Sequence, residues 1–378
     1  MRIAMIGHKR FGSREGGVEV VVTELARSMA ALGHEVTCYD RGGSDAMTDS
    51  NVSEMTERIV DGVRVVPVRT VDKKGFAALS SSYFATKAAI MEKPDIIHYH
   101  AEGPCVPLSL AHKAGIRTVA TIHGLDWQRA KWGKLASAYI KCGERTAAIK
   151  ADEVIVLSRA AQEYFRETYD RETRLVPNGV ESKTLCPANE ITERWGLTEG
   201  SYVLFVGRIV PEKRPELLVE AFRQVNTDKR LVIAGRGSDT LNFERQLHAF
   251  AHDDSRVLFT GFVTGGLLAE LYSNAYCYVL PSDMEGMPMS LLEAMSYGRA
   301  CVTSNISECA DVLAGTGLTF AKGNVHALRA ALESLLATPE HAKALGDAAR
   351  EHINKIYSWN NVVEKTLEIY SGTYGRKK

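Results

Sequence analysis

Two carboxylates stand at a spacing that suits the binding of a charged ligand. Glu285 and Glu293 are eight positions apart and directly follow the apolar run 277–281. If Ser290 to Met295 begins a helix, its first turn presents backbone N–H groups and a positive dipole end to an anion. A diphosphate fits there, with Glu293 on ribose hydroxyls and Glu285 facing a sugar. On spacing alone, a solvated carboxylate before an ordinary helix is an equally good interpretation.

Two cations follow another apolar run. Arg208 and Lys213 are five positions apart in the segment after Tyr202–Val206, which reads as a strand. Arginine and lysine at the carboxyl end of a strand can neutralise a leaving diphosphate. A charged surface loop is the common alternative, so this pair alone is a weak signal.

A glycine pair follows the first predicted strand. Gly16 and Gly17 precede an apolar-periodic helix and would let the backbone approach a phosphate without a Cβ in the way. The pattern is not G-x-G-x-x-G, which disfavours nicotinamide chemistry. The segment Gly235-Arg236-Gly237 has the same ambiguity, and either glycine pair can be only a tight turn.

Histidines follow or lie on predicted strands. His123 ends the apolar run 118–122 and can hydrogen-bond a sugar hydroxyl, although a structural histidine is the usual alternative. His98 and His100 alternate on one strand and therefore point the same way. No carboxylate pattern supports a metal site with them. The seven cysteines contain no C-x-x-C pair, which indicates neither zinc nor a disulfide framework.

Alternating strands and helices must position these residues. Short apolar runs separated by helical periodicity predict two series of strands, with a boundary near 177–179. The last strand predicted is 300–303. Such a pattern is typical of doubly wound parallel sheets, which bind ligands at the carboxyl ends of their strands. The predicted strands are Arg2–Ile6, 34–39, Val63–Val68, 95–100, 117–123, 153–157, Tyr202–Val206, Arg230–Ala234, 257–259, 277–281 and 300–303.

Composition bounds the class of protein. The 378 residues include 45% hydrophobic and 24% charged residues, as in a globular protein with more than one domain. Basic and acidic residues are equal at 46 each, which argues against nucleic acid as a partner. The first residues do not resemble a signal peptide, and cytoplasmic localisation is expected. The basic, tryptophan-containing stretch 127–150 can rest on an anionic membrane surface. An amphipathic helix with solvated lysines is its plainer interpretation.

Taken in order, these segments resemble the retaining glycosyltransferases of family 4. The mark of that family is E-x7-E after a strand, preceded far upstream by a strand and G-R-x4-K. Here the pairs are Glu285 with Glu293 and Arg208 with Lys213. The opening I-G-H-K-R-F-G-S-R-E-G-G-V-E, residues 6–19, resembles a subgroup that includes rhamnosyltransferases of capsule and cell-wall polysaccharide synthesis. The resemblance spans nearly the whole chain.

The resemblance implies a site with assigned roles. The two cations hold the donor diphosphate, Glu293 holds the ribose, Glu285 contacts the donor sugar and His123 lies near the reacting sugar. Gly16 and Gly17 belong to a loop that closes over donor and acceptor. The catalytic set is His123, Arg208, Lys213 and Glu285. The donor-binding set is Gly16, Gly17, Arg208, Lys213, Glu285, Gly286, Met287, Met289, Ser290 and Glu293.

One departure from the family concerns the phosphate contacts. Many members have E-G-F-G where this chain has E-G-M-P, and Pro288 cannot donate a backbone hydrogen bond. The amides expected to face the phosphate are therefore those of Met287, Met289 and Ser290.

The resemblance also implies the architecture. The expected fold is α/β of the GT-B type, with two Rossmann-like domains whose parallel sheets face a central cleft. Residues 1–177 with about 358–378 would bind the acceptor, and residues 178–357 the nucleotide sugar.

The implied activity is sugar transfer with retention, without a metal or other cofactor. The donor would be a UDP- or dTDP-sugar, with rhamnose among the candidates, and the acceptor a lipid-linked oligosaccharide at the inner face of the plasma membrane. A sugar-nucleotide epimerase of the same fold would need paired acid and base carboxylates around the sugar. A regulator with a decayed site is the non-enzymatic alternative. The ordered motif set argues against both.

Overall fold

The computed structural model describes residues 1–14, 16–42, 56–71, 76–128, 133–237 and 241–375. The chain divides into two compact units. Unit 1 comprises Met1–Gly179 and Trp359–Lys378, and unit 2 comprises Val180–Ser358.

Unit 1 is built on an eight-stranded sheet. Its strand order is β3-β4-β2-β1-β5-β6-β7-β8, parallel except for β3, which pairs antiparallel with β4. The strands are β1 (Arg2–Ile6), β2 (Glu35–Arg41), β3 (Arg58–Val60), β4 (Val63–Val68), β5 (Ile96–His100), β6 (Arg117–Ile122), β7 (Glu153–Val156) and β8 (Arg174–Leu175). The helices before the second unit are α1 (Gly17–Ala31), α2 (Ala77–Glu92), α3 (Leu108–Lys113), α4 (Lys134–Lys150) and α5 (Arg159–Tyr169).

Unit 2 is built on a parallel six-stranded sheet of order β11-β10-β9-β12-β13-β14. Its central strands are almost entirely buried because helices cover both faces, and this burial explains their continuous apolar runs. The strands are β9 (Tyr202–Val206), β10 (Arg230–Ala234), β11 (Val257–Gly261), β12 (Cys277–Leu280), β13 (Ala300–Ser304) and β14 (Leu318–Phe320). The helices are α6 (Glu190–Trp195), α7 (Pro215–Arg223), α8 (Leu241–Ala251), α9 (Gly265–Asn274), α10 (Met289–Ser296), α11 (Ser307–Leu313), α12 (Val325–Ala337) and α13 (Pro339–Ile356).

The last helix, α14 (Trp359–Ser371), returns to unit 1. The Tyr370 hydroxyl lies 2.6 Å from Nδ1 of His98, and the Arg117 guanidinium donates to the carbonyl of Ile369 at 3.1 Å. A Cβ on Gly179 would lie 2.7–2.8 Å from atoms of Trp359, so the two crossing segments approach as closely as only glycine allows.

The predicted fold class, two α/β units with parallel sheets, is confirmed. The prediction that 300–303 is the last strand is wrong, because β14 follows it, and β3 and β8 were also missed. These three strands have two or three residues and are partly exposed, so they form no apolar run. The stretch 127–150 is not one helix. A short 3₁₀ turn covers Asp126–Gln128, α4 begins at Lys134, and residues 129–132 lie outside the described part of the chain.

No helix among the described residues is both long enough and apolar enough to span a membrane.

Candidate functional site

Two loops of unit 2 meet where its sheet changes winding direction. Strands β9 and β12 are neighbours, but the chain proceeds from β9 to β10 on one side and from β12 to β13 on the other. Loops that leave the carboxyl ends of such a pair diverge and leave a crevice that can hold a ligand. The loops here are 207–214 and 281–288.

Lys213 and Glu285 meet in this crevice. Nζ of Lys213 lies 2.6 Å from Oε1 of Glu285, and their side chains are only 12% and 11% exposed. The Ser282 hydroxyl donates to the same carboxylate oxygen at 2.7 Å. Two residues singled out from separate sequence motifs are therefore in direct contact, with their charges shielded from most of the solvent.

Hydrogen bonds and an ion pair hold the two loops in place. The amide of Asp283 donates to the carbonyl of Glu212 at 2.8 Å. The Arg214 guanidinium forms an ion pair with Asp283 at 3.4 Å. The Ser304 hydroxyl on β13 donates to the carbonyl of Ser282. The position of Glu285 relative to Lys213 is thus set by contacts on both loops.

A third loop packs against the first through glycine. Gly235 follows β10 with φ +153°, and a Cβ there would lie 1.8 Å from the carbonyl oxygen of Gly207. A side chain at Gly207 would in turn come within 3.1 Å of Cδ of Lys213. Gly235 is therefore a packing requirement of the loop that carries both cations.

Arg208 is the other cation of this loop. It is partly exposed, and it forms no ion pair with any residue in the described ranges. In contrast to Lys213, its charge is not offset by a neighbouring carboxylate there.

Helix α10 starts at the same edge of the sheet. It begins at Met289, after the Gly286-Met287-Pro288 turn, and its N-cap residue Pro288 provides no side-chain cap. The first N–H groups of an α-helix have no partner within the helix, so the amides of Met289 and Ser290 lie at a positive end that suits an anion.

Two buried tyrosines organise α10. The Tyr278 hydroxyl donates to Oγ of Ser290 at 2.7 Å, and the Tyr272 hydroxyl donates to Oε2 of Glu293 at 3.1 Å. Sequence reasoning missed both tyrosines and Ser282. Ser282 had a signal, since it precedes Glu285 by three positions in a loop, whereas the tyrosines lie among other apolar residues and had none.

In unit 1, the glycine pair begins a helix. Gly16 is the N-cap of α1 and Gly17 is its first residue. The carboxylate of Glu19 lies over this end: a Cβ on Gly16 would be 2.3 Å from Oε2, and Oε1 accepts from the amide of Lys9 at 3.1 Å. The positive end of α1 already has an acidic partner from its own first turn.

The histidines of unit 1 form a connected row. Nε2 of His123, just after β6, lies 3.1 Å from Nδ1 of His100 at the end of β5, and the rings of His98 and His100 are 4.1 Å apart. Burial, reinforced by His123, lowers the pKa of His98 to about 3. Burial and the neighbouring imidazoles also hold the pKa of His100 well below its usual value. Both rings are therefore neutral near pH 7.

The predicted residues thus fall into two groups. Arg208, Lys213, Glu285, Glu293 and the 286–290 segment lie at one sheet edge of unit 2, and Gly16, Gly17 and His123 lie in unit 1. Within the described ranges, no three His, Cys, Asp or Glu side chains are grouped so as to hold a metal ion.

Two family models match the chain in succession. The model described as Glycosyltransferase Family 4 matches residues 15–183, and the model described as Glycosyl transferases group 1 matches residues 188–352. Glycogen synthase from Mycobacterium tuberculosis is 28% identical over 406 residues, which cover 98% of this chain and 94% of that protein.

Solved structures share the fold over nearly the whole length. Sucrose-phosphate synthase from Thermosynechococcus elongatus has a TM-score of 0.79 and 23% identity, covering 98% of each chain. HepE from Anabaena, in complex with UDP and glucose, has a TM-score of 0.80 and 16% identity, covering 98% of this chain and 100% of that chain. None of these three proteins is named as a rhamnosyltransferase, so that subgroup stays a prediction.

The loop motifs, the two parallel-sheet units and the successive family matches agree, and the chain is a glycosyltransferase of GT-B fold with a family 4 domain followed by a group 1 domain.

Proposed function

We propose that this chain is a retaining glycosyltransferase of surface polysaccharide synthesis. It moves a sugar from a UDP- or dTDP-sugar, with rhamnose as one candidate, to a hydroxyl of a lipid-linked oligosaccharide. The observation that carries the proposal is the Lys213–Glu285 contact at the β9–β12 crevice, beside Arg208 and the uncapped start of α10. That set combines positive charge for a diphosphate with a carboxylate for a sugar.

The donor would bind to unit 2. Arg208, Lys213 and the amides at the start of α10 supply positive charge to the diphosphate, and such fixed groups stabilise charge as it develops on a leaving group. Glu293 takes the ribose hydroxyls and Glu285 the sugar. We propose that these groups make a divalent cation unnecessary. The complex of HepE with UDP and glucose supports a uridine nucleotide as the first donor to test.

In the proposed reaction the bond between the anomeric carbon and the diphosphate breaks, and a bond to the acceptor oxygen forms on the same face. The acceptor proton passes to a diphosphate oxygen, so no protein nucleophile is needed. Arg208 and Lys213 stabilise the negative charge that remains on the nucleotide diphosphate. His123 hydrogen-bonds the reacting sugar.

The acceptor would bind to unit 1 at the cytoplasmic face of the plasma membrane. Support comes from α4, whose exposed residues include Lys134, Arg145 and Lys150 together with Leu135, which is 89% exposed, and Ile149. Basic residues with flanking apolar side chains suit an anionic lipid surface. The protein should sediment with vesicles containing phosphatidylglycerol at low salt, and Lys134→Glu with Arg145→Glu should abolish this binding.

The central experiment screens UDP-, dTDP- and GDP-sugars by thermal shift and by release of free nucleotide diphosphate, with and without EDTA. We expect one donor to stabilise the protein and to be slowly hydrolysed, and Arg208→Ala to remove both effects. Epimerised donor would instead indicate an epimerase. If no nucleotide sugar binds, the donor proposal is wrong and a decayed-site regulator becomes the better interpretation.

A further inference from the structure

Tyr272 is a buried residue that contacts the proposed donor site and has no assigned role. It lies on α9, is 1% exposed, and donates from its hydroxyl to Oε2 of Glu293 at 3.1 Å. The Tyr272 hydroxyl oxygen is also 3.3 Å from the carbonyl oxygen of Ser290, one turn earlier on α10. One hydroxyl therefore contacts both the backbone of the first turn of α10 and the carboxylate that follows it.

The ring that carries this hydroxyl is held in place by other aromatic rings. Tyr272 stacks on Tyr297 with centroids 5.4 Å apart and an angle of 10° between the rings, and lies 6.2 Å from Tyr278. Tyr278 is itself anchored to Oγ of Ser290. A ring packed in this way holds its hydroxyl in one position. The Glu293 side chain must therefore adopt the conformation that brings its carboxylate to the hydroxyl.

The hydroxyl also remains a donor over the working pH range. Burial, and then the charge of Glu293, hold the pKa of Tyr272 well above its usual value. It therefore keeps its proton near neutral pH and can donate to the Glu293 carboxylate there.

A glutamate side chain on a helix surface has three rotatable bonds, and a ligand that needs one of its rotamers must overcome the entropy of the others. A fixed donor on one carboxylate oxygen removes part of that cost before the ligand arrives. Resting on the proposed function, we propose that Tyr272 is a positioning residue that holds Glu293 in the orientation that receives the ribose hydroxyls of the donor.

The test uses the full chain with Tyr272→Phe, which keeps the ring and removes only the hydroxyl. The donor KM and the Kd for the free nucleotide diphosphate should rise roughly tenfold, while kcat changes less than about twofold. The loss of affinity caused by Tyr272→Phe should be smaller for the 2′-deoxynucleotide, because that ligand already lacks one of the ribose hydroxyls. A residue that only supports packing would not discriminate between the two nucleotides.

Tyr276→Phe is the matched control. The Tyr276 hydroxyl donates to the carbonyl of Leu335 on α12 at 2.6 Å, away from Glu293. This variant should leave KM unchanged. In a Glu293→Ala background, where the acceptor is removed, Tyr272→Phe should add almost nothing to the loss of affinity already present.

The outcomes separate this inference from the proposed function. If the unaltered protein binds no nucleotide diphosphate, the donor site itself is wrong. If it binds, and Glu293→Gln weakens binding but Tyr272→Phe does not, the positioning role is overturned. The same conclusion follows if Tyr272→Phe weakens binding equally in the Glu293→Ala background.

Discussion

At the scale of single residues, the Lys213–Glu285 pair joins two groups with opposite effects on a diphosphate. We predict that Lys213→Met weakens binding of the nucleotide diphosphate by about 100-fold, because a shielded cation is lost and Glu285 keeps its charge. Glu285→Gln should bind the nucleotide diphosphate as well as the unaltered protein, or a few-fold more tightly, because a nearby negative charge is gone. Its turnover should fall by at least about 100-fold. Calorimetry measures the first effect and the rate of sugar transfer the second.

Lys343→Met is the control for the loss of a lysine, since Lys343 pairs with Asp347 in an ion pair whose two side chains are 78% and 66% exposed. It should alter neither binding nor rate, as expected of an exposed pair. Equal loss of affinity in Lys213→Met and Glu285→Gln would contradict the division of roles.

Glu102 provides a second prediction at this scale. It is fully buried, and burial followed by the charge of Asp126 holds its pKa well above the usual value. The folded protein then retains a proton that the unfolded chain releases, so stability falls as pH rises from the unfolded pKa toward the folded one. Glu102→Gln imitates the protonated carboxyl. The unfolding temperature of this variant should match that of the unaltered protein at the acid end of this window and exceed it at the alkaline end. If the unfolding temperatures of both proteins changed in parallel with pH, the pKa of Glu102 would not be raised in the folded state.

At the scale of elements, the loops after β9 and β10 pack through Gly235 and Gly207. We predict that Gly235→Ala costs about 2–4 kcal/mol of unfolding free energy, since the new Cβ meets the Gly207 carbonyl at 1.8 Å. The displaced loop carries Arg208, so donor affinity should fall as well. Denaturant unfolding and nucleotide titration measure the two effects.

Gly266→Ala, on α9, is the matched substitution, because a Cβ there meets nothing within 4 Å. It should change stability by no more than about 0.5 kcal/mol. If both variants lost a similar amount of stability, the close approach of Gly235 to the Gly207 carbonyl would not be the cause of the destabilisation.

At the scale of the whole molecule, unit 1 contains two segments that are far apart in sequence. Ending the chain after Ser358 removes α14, and with it the Tyr370 hydroxyl on His98 and the Ile369 carbonyl on Arg117. We predict a lower unfolding temperature for unit 1, seen as a separate first transition in calorimetry. Nucleotide binding, whose proposed residues lie in unit 2, should be retained.

A chain that ends after Gly375 keeps α14 and Tyr374, whose ring lies against the Arg174 guanidinium, and is the control for the deletion. It should unfold like the full chain. Loss of nucleotide binding in the chain ending at Ser358 would show that the donor residues depend on the terminal helix.

The sequence by itself determined the parts of this protein that depend on neighbouring residues along the chain. Apolar runs such as Tyr202–Val206 and Cys277–Leu280 predict parallel strands, because strands covered on both faces need apolar residues throughout. The E-x7-E motif indicates a loop followed by a helix, because all its residues lie close together in sequence. The strands β3, β8 and β14 escaped detection because they are short and partly exposed, and hold their places through pairing with a neighbour.

Only the tertiary structure decided which distant residues meet. Lys213 and Glu285 are 72 positions apart, and they touch because β9 and β12 are adjacent in the sheet order. Tyr272 on α9 contacts Glu293 on α10, and Tyr370 contacts His98, which is 272 positions away in the sequence. Strand order and helix docking follow from burial and packing summed over a whole unit, so no local pattern of residues encodes them.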